Sequence, residues 1–222
     1  MLVIVQLFSM SAHADDGLKW SELRVYLSSN SFSSAPTALN NLTAADNVKK
    51  LSDLTGMGLE ADAQVKPWLK VGTKFRGIWN AVNQPNPPSP ATAYIQITQY
   101  SAGLLARGTI LEKDWIQADL FAELGLANTK IDVLTSVSGK GTFTKDSGLY
   151  QRAGISVGLG SPTFKFFVEA GQEWNNLSSV SFTGTLVNNI SSVDFTGPYY
   201  AAGLIIYGIP SWIKPGGITT SK

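Results

Sequence analysis

Period-two alternation of apolar and polar residues runs from Lys19 almost to the end of the chain and marks eight segments separated by turn or loop chemistry. In the first, Leu23, Val25 and Leu27 alternate with Glu22, Arg24 and Tyr26. The second sets Met57, Leu59, Ala61 and Ala63 against Gly58, Glu60, Asp62 and Gln64. After Val65-Lys66-Pro67-Trp68, the third sets Leu69, Val71, Thr73, Phe75 and Trp79 against Lys70, Gly72, Lys74 and Arg76. The fourth lies between Tyr94 and Leu111, with Tyr100, Ala102, Leu104, Ala106 and Ile110 opposite Gln99, Ser101, Gly103, Arg107 and Thr109, and Leu105 interrupting the polar face. The fifth is the clearest: Ile116, Ala118, Leu120, Ala122, Leu124 and Leu126 alternate with Gln117, Asp119, Phe121, Glu123 and Gly125. The sixth opposes Leu149, Ala153, Ile155, Val157 and Leu159 to Tyr150, Arg152, Gly154, Ser156 and Gly158. The seventh opposes Phe164, Phe166, Val168 and Ala170 to Lys165, Phe167, Glu169, Gly171 and Glu173, and the eighth, Tyr199 to Ile209, is apolar on both faces.

Connection lengths alternate. Those at Lys66-Pro67, Lys113-Asp114 and Ser161-Pro162 are a few residues long; those at Ser28 to Leu54, Asn80 to Ala93, Thr135 to Gly148 and Asn175 to Pro198 are long and polar. Such a chain reads as a single antiparallel up-and-down β-barrel of about eight strands, all-β, with short turns at one end and long loops at the other. Alternation alone does not say which face points inward. Tryptophan does: Trp20, Trp68, Trp115 and Trp212 fall at strand ends on the short-turn side, Trp79 and Trp174 at ends on the long-loop side. Indoles favour the headgroup level of a bilayer, so two groups at opposite strand ends read as the interface girdles of a transmembrane barrel.

The apolar face then meets lipid and the polar face lines the lumen. Its acids are Glu22, Glu60, Asp62, Asp119, Glu123, Glu169 and Glu173, and its bases Arg24, Lys70, Lys74, Arg76, Arg107, Arg152 and Lys165, seven against seven. Charges sealed in a narrow barrel must be paired, which predicts an ion-pair network there. A conduit whose pairs exchange partners is the sharper reading of the same residues.

Composition adds exclusions. The 222 residues carry a net charge of +1 and no Lys/Arg run, so nucleic acid is not an expected partner; there is no cysteine, hence no disulfide or thiolate chemistry. Met1 to Met10 is apolar apart from Gln6 and Ser9 and precedes Ala12-His13-Ala14, a small-x-small pattern that predicts an export signal over residues 1–14, cleaved after Ala14. The barrel is then expected over residues 15–213, with a short periplasmic tail at 214–222.

On this alternation, loop asymmetry and tryptophan placement, the chain from Lys19 to about Trp212 resembles the small bacterial outer-membrane barrels, the OmpA transmembrane-domain, OmpX and OmpW-like group. The resemblance implies an outer-membrane location, turns toward the periplasm, loops outside, contact with outer-membrane lipid or lipopolysaccharide, and an insertion signal ending in an aromatic residue, a part that Trp212 could play. Barrel enzymes of that membrane rely on a histidine, and the one histidine here, His13, lies in the expected signal. No catalytic, metal or cofactor site is therefore expected, and the Glu60/Asp62 and Glu169/Glu173 pairs read as structural. Thr43-Ala44-Ala45-Asp46 before Val48, Leu51 and Leu54 predicts a short helix in the first long loop, lying on the rim or folding into the mouth. Alternating runs around Asn188-Asn189 predict a hairpin in the fourth, and Pro85, Pro87, Pro88 and Pro90 keep the second out of regular pairing. Three functions stay open: a non-enzymatic envelope protein contacting an extracellular partner through its loops, an OmpW-like porin passing small solutes, and a soluble periplasmic ligand-binding barrel.

Overall fold

The alternating segments form strands, and the strands close. The computed structural model describes residues 19–32, 36–83, 93–136, 139–186 and 190–208. The expected signal with His13, the side chain of Trp20, the proline-rich stretch of the second loop, Asn188-Asn189, Trp212 and the tail lie outside them. The wall consists of β1 (Lys19–Ser31), β2 (Asp53–Lys66), β3 (Leu69–Asn83), β4 (Tyr94–Lys113), β5 (Ile116–Thr135), β6 (Gly139–Gly160), β7 (Phe164–Trp174) and, after three short strands, β11 (Gly197–Tyr207). Each pairs antiparallel with its chain neighbours; β1 pairs with β11 from Glu22↔Tyr207 to Asn30↔Tyr199, which completes a ring of eight. Within the ring no wall strand is left with an open edge, which removes the aggregation hazard of a long unpaired strand.

The strands are longer than alternation suggested. The stretch from Thr135 to Gly148, expected as a long loop, is mostly strand: β5 and β6 stay paired up to Thr135↔Gly139. The reason is a change of phase along each strand. Near the turns β5 presents Leu120, Leu124 and Leu126 outward and buries Asp119 and Glu123; toward the loops it buries Ile131 and Val133 and presents Asn128 and Lys130 outward. In β4 the outward residues Tyr100 and Leu104 give way, toward the loops, to inward Ile95 and Ile97. Two half-patterns of opposite phase, read as one, look like a strand followed by a polar loop.

The loop end of the ring is closed by the chain itself. A helix α1 (Thr37–Leu42) and a 3-10 turn (Ala44–Asp46) follow β1. The helix lies earlier than the capping pattern implied: Thr43 ends it and starts only a 3-10 turn, with no side-chain cap bond, while the Asp46 carboxylate accepts from the Ser136 backbone N–H at 3.1 Å and from the Ser136 hydroxyl, pinning the first loop to the β5–β6 turn. Asn40 likewise ties the loop to itself, its Oδ1 accepting from the Leu51 N–H at 3.0 Å. Leu39, Leu51 and Leu54 are thereby held against inward-facing Ile78, Ile95, Ile97, Ile131, Val133 and Phe143.

The fourth long loop, whose expected turn at Asn188-Asn189 lies outside the described residues, pairs with itself through its ends and with the wall through its middle. There β8 (Asn176–Ser178) pairs antiparallel with β10 (Ser192–Asp194), while β9 (Ser181–Gly184) adds to β6 at Gly141–Thr144, and Leu177, Val193 and Phe195 join the same apolar cap. Pairing and burial go together there, because Leu177 and Val193 face each other across the β8–β10 pair and both lie on the cap.

Leu39→Ala with Leu51→Ala should loosen the cap without opening the ring. Each removes a fully buried leucine side chain, at a cost of roughly 2–5 kcal/mol. Limited proteolysis in detergent should cut between β1 and β2 at least tenfold faster than in the parent, while the heat-dependent shift in gel migration that reports a closed barrel is retained.

Candidate functional site

Inside the ring, below the cap, the inward positions of the strands bring their charges together. Glu22, Arg24, Glu60, Asp62, Lys70, Lys74, Arg76, Arg107, Asp119, Glu123, Arg152, Lys165, Glu169 and Glu173 are all buried. All but Lys165 form three connected tiers. Nearest the turns, Arg24 bonds Glu22 at 2.7 Å and Asp119 at 2.8 Å, Lys70 meets Glu22, and Gln117 donates to Asp119 at 2.7 Å. In the middle, Arg107 lies 2.6 Å from Glu60 and 3.2 Å from Asp62 and also bonds Glu169, whose other oxygen takes Lys74 at 3.2 Å. Nearest the cap, Glu173 receives Arg76 at 2.9 Å and Arg152 at 2.8 Å, and Arg152 reaches Glu123 at 3.0 Å. Lys165 stands apart from these carboxylates: its ammonium donates to the Tyr207 hydroxyl at 3.2 Å and lies 4.3 Å from that ring's centre.

Sequence reasoning missed the aromatic packing between the tiers. Lys74 Nζ lies 4.5 Å from the Tyr26 ring and 5.4 Å from Tyr199, Arg152 lies 4.5 Å from Tyr199, and Arg24 and Arg107 sit over Phe167 and Phe121 at 5.3 and 5.2 Å. The signal was present, since Tyr26, Phe121, Tyr150 and Phe167 share the alternation face of the charges. Leu105, the residue that broke the polar face of the fourth segment, packs inside with Phe121, Phe167, Tyr199 and Ile205. Rings and leucine fill the space that ion pairs leave open and lower the local dielectric, which strengthens each charged contact. Gly58 and Gly203 make room for Tyr26: a Cβ at either would come within 2.8 Å of its atoms.

Among the described residues no cluster of three or more His, Cys, Asp or Glu has the arrangement of a metal site. Each inner carboxylate lies within 4 Å of a lysine or arginine, so the cluster largely neutralises its own charge. On the outside the pattern is reversed. Val25, Leu59, Leu120, Leu124, Leu126, Ile155, Phe166 and Val168 are exposed, with Trp68 and Trp115 exposed near the turn end and Trp79 and Trp174 near the loop end.

A ring of eight antiparallel strands with apolar residues outside and ion pairs within has known counterparts. The fold is that of the small outer-membrane β-barrels. The outer membrane protein OprG from Pseudomonas aeruginosa superposes with a TM-score of 0.57 at 12% sequence identity, covering 87% of this chain and 98% of that one. Neisserial surface protein A matches 87% of this chain and 100% of its own at a TM-score of 0.47 and 13% identity. The attachment invasion locus protein Ail of Yersinia pestis, in complex with the heparin analogue sucrose octasulfate, matches with a TM-score of 0.46 and 13% identity over 87% of this chain and 100% of that chain. No protein-family model and no curated protein sequence matches the chain.

Arg107→Met should be among the most damaging single changes in the lumen, because it leaves Glu60, Asp62 and Glu169 sharing fewer cations; a loss of about 3–5 kcal/mol is expected. Adding Glu60→Gln should restore part of that loss. Urea midpoints of the refolded protein in micelles measure both, and equal midpoints for parent and Arg107→Met would show that the cluster is not what holds the lumen together.

Proposed function

We propose that this chain spans the bacterial outer membrane as a closed barrel, a non-enzymatic envelope protein that meets the exterior through its loop cap. The observation that carries this is the phase inversion along β4 and β5. A protein in one solvent keeps one phase, apolar in and polar out. Here the turn-proximal part has apolar side chains outside and charges inside, and the loop-proximal part has the order of a water-soluble core. Two solvents on one strand explain it: hydrocarbon around the first part and water around the second. The outward apolar run of β5 from Ile116 to Leu126 is roughly 34 Å of strand, which at a tilt of about 45° crosses about 24 Å, the height of an outer-membrane apolar band. A soluble periplasmic barrel would have to leave this belt in water, far beyond the apolar patch a soluble monomer shows.

Transport is the weaker reading, because two different materials fill the lumen. Ion pairs and rings occupy its middle, and above them the apolar cap is anchored through Asp46 and Ser136. Opening a path would expose paired charges and disperse a hydrophobic core together.

Two measurements test the proposal. Refolded protein added to lipid vesicles should float with them, gain protection from protease over β1–β7, and show heat-modifiable migration. In planar bilayers it should give no ohmic steps, and the Leu39→Ala/Leu51→Ala variant should stay silent, because the ion-pair tiers fill the lumen beneath the cap. Steady conductance from the parent protein would replace the envelope reading with the porin one.

A further inference from the structure

Lys165 leaves the lumen unevenly charged. Its ammonium meets the Tyr207 hydroxyl and no carboxylate, so setting it aside from the seven acids and seven bases leaves the tiers with seven carboxylates and six cations. Lys165 at the turn end does not restore the balance, because Glu112, a partly exposed eighth carboxylate, lies 3.4 Å from Lys70 and shares it with Glu22. A closed interior one cation short has to take up a positive charge, since a buried carboxylate left without compensation adopts its neutral form.

The shortfall falls on Asp62. Two nitrogens lie near its Oδ2, Arg107 Nε at 3.2 Å and Arg24 Nε at 3.9 Å. An arginine Nε carries one hydrogen. Arg107 gives its own to Glu60 Oε1 at 2.6 Å and Arg24 gives its own to Glu22 at 3.1 Å, so Asp62 receives neither. Its other oxygen, Oδ1, lies over Gly72, where no side chain can donate and where a Cβ would overlap it. Each of the other lumen carboxylates accepts at least one side-chain hydrogen bond; Asp62 accepts none, although it is 1% exposed.

The neighbour that can use a hydrogen from Asp62 is Glu60. The two share the inward face of β2, and Glu60 Oε1 lies against the same two nitrogens, 2.6 Å from Arg107 Nε and 3.5 Å from Arg24 Nε. Their carboxyls are within hydrogen-bonding reach of each other. Two carboxylates that share a site do not both stay ionised, and such a pair keeps one proton between them. Lys74 lies 3.3 Å from the far oxygen of Glu60, which makes Glu60 the ionised partner and Asp62 the acid. The other charges nearby are engaged elsewhere. Glu22 of β1 is taken by Arg24 and by Lys70 of β3, Glu169 of β7 binds Lys74 of β3 and Arg107 of β4, and Asp119 of β5 takes Arg24 and Gln117.

We propose that Asp62 and Glu60 form a proton-binding site: one proton is held on Asp62 and donated to Glu60, and the chain takes it up from solution as the ring closes. The site needs only that closure, which brings Arg24, Arg107 and Glu169 around it, and is independent of what surrounds the wall. In the unfolded chain both carboxyls ionise above about pH 4. The folded form then carries one more proton than the unfolded, so stability falls as pH rises from there until the site itself ionises.

Infrared spectra of the full chain refolded in detergent micelles at neutral pH read the proton directly. A protonated carboxyl has a C=O stretch above the amide and carboxylate bands that shifts in heavy water. The parent should show one such band, lost in Asp62→Asn and in Glu60→Gln and kept in Asp132→Asn, whose carboxyl pairs with Lys130 outside the lumen. Urea midpoints supply the thermodynamic counterpart: from about pH 5 toward neutrality the folding constant of the parent should fall about tenfold per pH unit relative to Asp62→Asn, the slope of one proton taken up on folding. Absence of the band from the parent, or parallel stability curves, would overturn the proposal by showing both carboxylates ionised. So would a parent midpoint that rises with sodium at constant pH and ionic strength while that of Asp62→Asn does not, which would make a metal ion the missing charge. Should Asp62→Asn fail to refold, the parent band and its loss in Glu60→Gln decide the matter.

Discussion

An eight-stranded ring encloses little more than the volume of its own inward side chains, and here those side chains are charged. Mutual neutralisation inside that narrow space is the condition on which the rest depends. A buried ion without a partner costs several kcal/mol, so the tiers from Arg24 through Arg107 to Arg152 have to satisfy one another across the lumen. Their geometry requires ring closure, because Arg24 on β1 reaches Asp119 on β5 and Lys74 on β3 reaches Glu169 on β7. Closure is therefore what brings the charges within reach of one another, and the pairing in turn ties distant wall strands together.

The same constraint shapes the loop end. Where the charges stop, at the level of the Gln99–Thr129 hydrogen bond of 2.8 Å, the inward surface turns apolar, and the ring would open onto water with Ile95, Ile131 and Phe143 exposed. The first and fourth long loops cover it. The result is a barrel with two interiors, polar where the outside is apolar and apolar where the outside is polar. Each side of the wall is the complement of the other, as expected when a rigid sheet passes from one solvent to another.

This complementarity also separates the surfaces that hold the structure from those available for function. The lumen is filled by side chains and the cap is anchored, so the surfaces left accessible are the polar exterior of the loop end and the apolar belt.

The sequence by itself determined the strands, the face each residue occupies and the equality of charge, because alternation is a local property and a side chain's face depends only on its parity along the strand. It did not determine where strands ended. The inversion near Leu126 in β5 made an extended hairpin look like a loop, although Ile131 and Val133 on the opposite parity carried the signal. Nor could it say that Asp46 would pin Ser136 rather than cap a helix, or that Lys165 would meet Tyr207 instead of a carboxylate. Those choices belong to the tertiary structure: they join residues tens of positions apart, and only the register of a closed ring decides which of several equally charged neighbours comes within reach.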